Sequence, residues 1–91
     1  MNEAERRAAL EPVVVAAQKV AGIVAARGRG DADGARRLMG SFDDERDLAG
    51  GALLVAELSL AMLQRETGES LDDCVRDLCV QMEQALVRRA G

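Results

Sequence analysis

An all-α fold, a compact bundle of three to four helices, is predicted by three observations. Nearly half the residues are apolar, Ala, Leu and Val dominate that set, and Phe42 is the only aromatic side chain. Ala and Leu are strong helix formers and small residues let helices approach closely, whereas the β-branched and aromatic runs that sheets need are nearly absent. Apolar residues also recur at helical spacing between Asn, Asp and Ser residues placed as caps. At 91 residues the chain is read as one domain, 1–91, with a single modest core.

Asn2 and Glu5 have the spacing of a reciprocal N-terminal cap, and helix formers continue to Leu10. Pro12 either kinks an ongoing helix or opens a new one, so the main helix is placed at 12–27, preceded by a short N-terminal helical turn. Its expected inward stripe is Leu10, Val13, Ala17, Val20 or Ala21, and Val24, with Gly28 as the stop. Residues 27–34, RGRGDADG, read as a loop, and Asp31 or Asp33 caps a short helix over 32–40. That helix turns Ala35, Leu38 and Met39 inward and Arg36 and Arg37 outward, and Gly40, Ser41 and Phe42 form a corner.

Asp43 or Asp44 caps a third helix over 44–66, with Glu45 and Asp47 in its first turn and Thr67 and Gly68 at its end. Ser70 and Asp73 make a second capping box, opening a helix over 71–90 that ends at Gly91, with Arg88 and Arg89 in its last turn. Leu71, Val75, Leu78, Met82 and Ala85 form a stripe of barely two heptads, which suits a bundle better than a coiled coil.

Charge and composition exclude several function classes. With 12 basic against 16 acidic residues the net charge is -4, the wrong sign for a phosphate footprint, so nucleic acid is not the expected partner. Lys19 is the only lysine, and this preference for Arg is the habit of a GC-rich bacterial genome. No His is present, which removes imidazole metal sites and Ser-His or Cys-His nucleophile pairs. The DADG run at 31–34 starts like a calcium loop, but its Gly comes two positions early and Phe42 stands where a bidentate Glu belongs. Arg29-Gly30-Asp31 is an adhesion-type tripeptide in a loop rich in those three residues, where chance accounts for it. No catalytic residue, cofactor or metal is expected.

Cys74 and Cys79, five apart on one helix, point about 140° apart and cannot bridge each other. Two free thiols fit a reducing cytoplasm. Cys79, next to Leu78, reads as a small core residue, and Cys74, near a helix N-terminus, as the better candidate for a lowered thiol pKa. The acidic clusters Asp43, Asp44, Glu45, Asp47 and Asp72, Asp73, Asp77 read as caps and solvated faces. No signal peptide is expected, since charged residues fill positions 3–7 and no adequate apolar stretch follows before Pro12.

The third helix is the unusual element. From Ala49 to Leu63 it is apolar on nearly every face, interrupted by Glu57 and Ser59. That run is shorter than the roughly 20 residues of a spanning helix, so no membrane span is expected and the helix has to be covered by protein. The expected function is that of a non-catalytic cytoplasmic helical protein acting through protein–protein interaction, self-associating most simply as a twofold dimer, with a second protein as a further partner. Leu53, Leu54, Leu58, Leu60, Met62 and Leu63 are the expected interface residues, with Val75, Leu78 and Met82 opposite. Glu57, if buried, needs a partner such as Arg65 or Arg76. Two alternatives are a small-ligand binder or enzyme using carboxylates at a dimer seam, and a DNA-binding regulator using Arg6–Arg7, Arg36–Arg37 and Arg88–Arg89.

Overall fold

The computed structural model describes residues 2–90, with positions 89 and 90 described in backbone only. Four helices follow in order, α1 (Glu3–Gly28), α2 (Ala32–Gly40), α3 (Glu45–Thr67) and α4 (Leu71–Ala90), and no strand occurs among the described residues. The fold is all-α. The chain divides into two units, Met1–Ala56 and Glu57–Gly91, so that α3 begins in the first and ends in the second.

In the first unit, α1 is one helix of 26 residues with Pro12 inside it, rather than a turn followed by a helix that starts there. The Asn2 Oδ1 accepts the Glu5 N–H at 2.8 Å, and the Asn2 amide donates to the Glu5 carboxylate at 3.3 Å, so the helix begins at Glu3, well before the proline. Pro12 has no N–H to give the Ala8 carbonyl, but both residues are exposed and water can take the acceptor. Strong helix formers before the proline carry the helix through it, because extending a helix is far easier than starting one.

The register of α1 also differs from the expected stripe. Ala16, Ala17, Ile23 and Ala26 are buried, while Leu10, Val13 and Val24 are exposed. The reason is steric: at Ala16 and Gly22 the partners of α1 approach so closely that only small side chains fit, and Ile23 is the large residue that the inner face does bury. At Gly51 of α3 an added Cβ stands 2.7 Å from the Ala16 carbonyl carbon and 2.8 Å from its oxygen. At Gly22 of α1 it stands 3.1 Å from the Leu38 Cδ1 of α2. Ile23, Ala26 and Ala35 form the core cluster, with half-buried Leu38 and Phe42 against it.

Backbone hydrogen bonds fix the corner between α1 and α2. The Ala26 carbonyl accepts the Asp31 N–H at 2.8 Å and the Arg27 carbonyl accepts the Gly30 N–H at 3.1 Å, with Gly30 at φ 77°. This is a Schellman closure, in which glycine takes the left-handed position at no Cβ cost. Asp31 then caps α2, its Oδ1 accepting the Gly34 N–H at 2.9 Å. Arg36 and Arg37 point outward as expected, but Met39 is exposed with them, because Leu38 already occupies the space over Gly22. Asp44 opens α3, its Oδ1 accepting the Arg46 N–H at 2.8 Å.

In the second unit, α3 closes at Gly68, whose N–H donates to the Gln64 carbonyl at 2.8 Å with φ 72°. Ser70 opens α4: its Oγ accepts the Asp73 N–H at 3.1 Å and its carbonyl the Cys74 N–H at 3.0 Å. Cys79, expected as a small core residue beside Leu78, is exposed, and Cys74 is the fully buried one. The Gly91 stop and the Arg89 side chain lie outside the described residues.

The adjacent glycines of α3 give a paired test of the close approach. An added Cβ at Gly50 meets open space, so Gly50→Ala should raise stability by up to about 1 kcal/mol through helix propensity. The same change at Gly51 pushes against backbone and should lower stability by about 1–2 kcal/mol net. Urea unfolding followed by circular dichroism reads both; equal effects at the two positions would show that the helices are not in contact at Gly51.

Candidate functional site

Small residues fill the interior and large ones face out. Among the described residues the buried apolar set is Ala16, Ala17, Ile23, Ala26, Ala35 and Cys74. In the first unit the Gly51 contact leaves no room for a large side chain and Leu38 fills the space over Gly22, while most other Leu and Met side chains project outward. On α3, Leu53, Leu58 and Met62 are 61, 55 and 61% exposed, and Met82 on α4 is 57% exposed. Leu63, Val75 and Leu78 are exposed as well, while Leu54 and Leu60 are half-buried. An exposed Leu is ordinary in isolation, but apolar residues recurring along two helices are not.

Sequence reasoning missed further exposed apolar residues in each unit. Leu10, Val14 and Val15 on α1 and Val80, Leu86 and Val87 on α4 are exposed too. A helical stripe is normally read as facing inward, and only the density of Ala and Gly signals that the inner face is reserved for small residues.

The polar candidates have local roles. Glu57 is exposed, so it needs no buried counter-ion; Arg76 pairs with Asp73 at 3.0 Å instead, and Arg65 is exposed. Arg36 pairs with Asp33 at 3.0 Å. In the Arg29-Gly30-Asp31 tripeptide, Arg29 is the C-cap of α1, Gly30 supplies the left-handed turn and Asp31 caps α2, so the fold accounts for all three. Among the described residues no group of three or more Cys, Asp or Glu side chains is placed to hold a metal ion.

One carboxyl is electrostatically distinct. Glu69, in the turn before α4, has its pKa raised above the ordinary 4.5, first by hydrogen bonding to Asp77 and then by the negative charge of Asp77, slight desolvation and the charge of Asp73. A carboxyl beside a second carboxylate holds its proton more tightly, because ionising both sets like charges against each other.

By length and composition, α1 and α3 are each long and apolar enough to cross a membrane, with mean hydropathies of 1.5 and 1.3 over their most apolar windows. Only 22 and 6% of those windows is buried. The chain matches no protein-family model, no curated protein and no solved structure.

The Glu69 pair makes a pH-dependent contribution with a definite sign. Protonating Glu69 relieves repulsion in the folded state, so this contribution is present at acid pH and is lost as pH rises through the raised Glu69 value. Side-chain carboxyl NMR should show Glu69 titrating above 4.5, and Asp77→Asn should return it towards that value. A normal midpoint in the parent protein would remove the pairing.

Proposed function

We propose that the chain is a non-catalytic helical protein that acts through protein–protein interaction and self-associates, most simply as a twofold dimer, through the apolar surfaces of α3 and α4. The observation that carries this reading is the inverted arrangement of its apolar residues, with Ala and Gly inside and Leu and Met outside. Contiguous exposed apolar surface drives association, because water is released when a second surface covers it. A twofold axis lets each copy cover the other with the same residues. Leu53, Leu58, Met62 and Met82 are the residues placed to contribute most, ahead of the half-buried Leu54 and Leu60.

Lipid is the competing cover, favoured by the length and hydropathy of α1 and α3 and by the use of small residues where helices meet. Glu57 in the middle of α3 and Glu11 in α1 weigh against it. Both are exposed and neither makes an ion pair among the described residues. A charged side chain at the centre of a bilayer costs roughly 3 kcal/mol on insertion scales, whereas at the rim of a protein interface it stays hydrated. The free thiols support a cytoplasmic location and the Arg-rich usage a bacterial source.

Light scattering with refractive-index detection, needed because the chain lacks Trp and Tyr, should give the mass of a dimer or larger at micromolar concentration. Leu58→Asp and Met62→Asp should each shift the mass to the monomer with helicity retained by circular dichroism. A monomeric parent protein overturns the reading, and a requirement for detergent to keep it in solution selects lipid.

A further inference from the structure

The first unit carries an open groove of 430 Å³ between α1 and the corner that leads into α3. Its apolar lining comes from Ala8, Pro12, Val15 and Ala16 of α1 and from Phe42 of the corner. That volume is within the range of sites that hold a large side chain or a small ligand.

The unengaged polar groups of the lining are acceptors. Glu11 lies on α1, Asp43 precedes the Asp44 cap and Asp47 sits in the first turn of α3. None of the three is in an ion pair among the described residues. Pro12 adds a fourth acceptor, because it cannot donate to the Ala8 carbonyl and both residues line the groove. The cation among the lining residues, Lys19, is already engaged: its ammonium donates to the Ser41 carbonyl at 3.3 Å and lies 5.2 Å from the centre of the Phe42 ring.

An apolar lining that includes carboxylates and a bare carbonyl complements a donor-rich cation on an apolar stem. We propose that the groove is a docking site for a helical segment of another protein that presents an arginine among apolar residues. A guanidinium offers five N–H donors in a planar fork, enough to serve more than one of the lining carboxylates, and its methylene stem covers apolar surface. Apolar neighbours on the incoming helix, one turn to either side of the arginine, cover Val15 and Pro12. The groove shares no lining residue with the set assigned to self-association, so this inference does not rest on that reading.

The test uses the full chain and two fluorescein-labelled Ala- and Leu-rich helical peptides, one with a central arginine and one with glutamate in its place. Anisotropy titration should show binding of the arginine peptide, weakening with salt, and amide shifts confined to the groove around Val15 and Phe42. Asp43→Asn and Asp47→Asn should each lower its affinity about tenfold. Asp43 is outside the cap, so its substitution leaves α3 formed, and circular dichroism verifies this for both variants. Equal binding of the glutamate peptide, unchanged affinity in both variants, or shifts elsewhere on the chain overturns the proposal. So does a loss of dimer mass in the two variants without peptide, which would put the arginine of a second copy in the groove.

Discussion

The first unit depends on the direct approach of one helix backbone to another where Gly51 meets the Ala16 carbonyl. Helices brought this close bury little side-chain volume, so their stability comes from many short contacts between small groups rather than from interlocking Leu and Phe side chains. The same approach fixes which face of α1 is inside. Ala16 and Ala17 face inward because nothing larger fits, and the Leu and Val residues around them take the outer face. The apolar exterior therefore follows from the construction of the interior.

That link explains which features were legible in the sequence. Asn2, Asp31, Asp44 and Ser70 all act as caps, and each could be read because its hydrogen bond reaches only two or three residues along the chain. The bounds of α2 and α4 agree with their predicted ranges, and α3 begins and ends one residue later than expected. The continuity of α1 through Pro12 was not legible, because a proline kink and a proline start leave the same local signature. It is settled by the Asn2 cap and the exposure of Ala8, which lets solvent satisfy the orphaned carbonyl.

The inner and outer faces were the least legible feature. Cys79 is exposed rather than in the core, and Leu10, Val13 and Val24 faced out instead of in, because the side a residue takes depends on contacts far along the chain. In α1 those contacts come from Gly51 and Leu38. Hydrophobicity alone ranks Leu above Ala as an inner residue, whereas here closeness of approach decides and the order is reversed. Glu57 follows the same logic: read as a carboxylate stranded in a core helix, it stands on an exposed helix surface and needs no counter-ion.

The double role of Asp31 has a mechanical consequence. Its N–H closes α1 and its carboxylate opens α2, and the N–H of each of the three residues between the helices, 29–31, is hydrogen-bonded back to α1. A connection of that kind has no slack; the angle between the two helices is held by backbone hydrogen bonds rather than by the few side chains between them. A force applied to α2 is therefore passed to α1 as to the arm of a bracket, and an added residue at this corner would disconnect the two more completely than a substitution in the core they share.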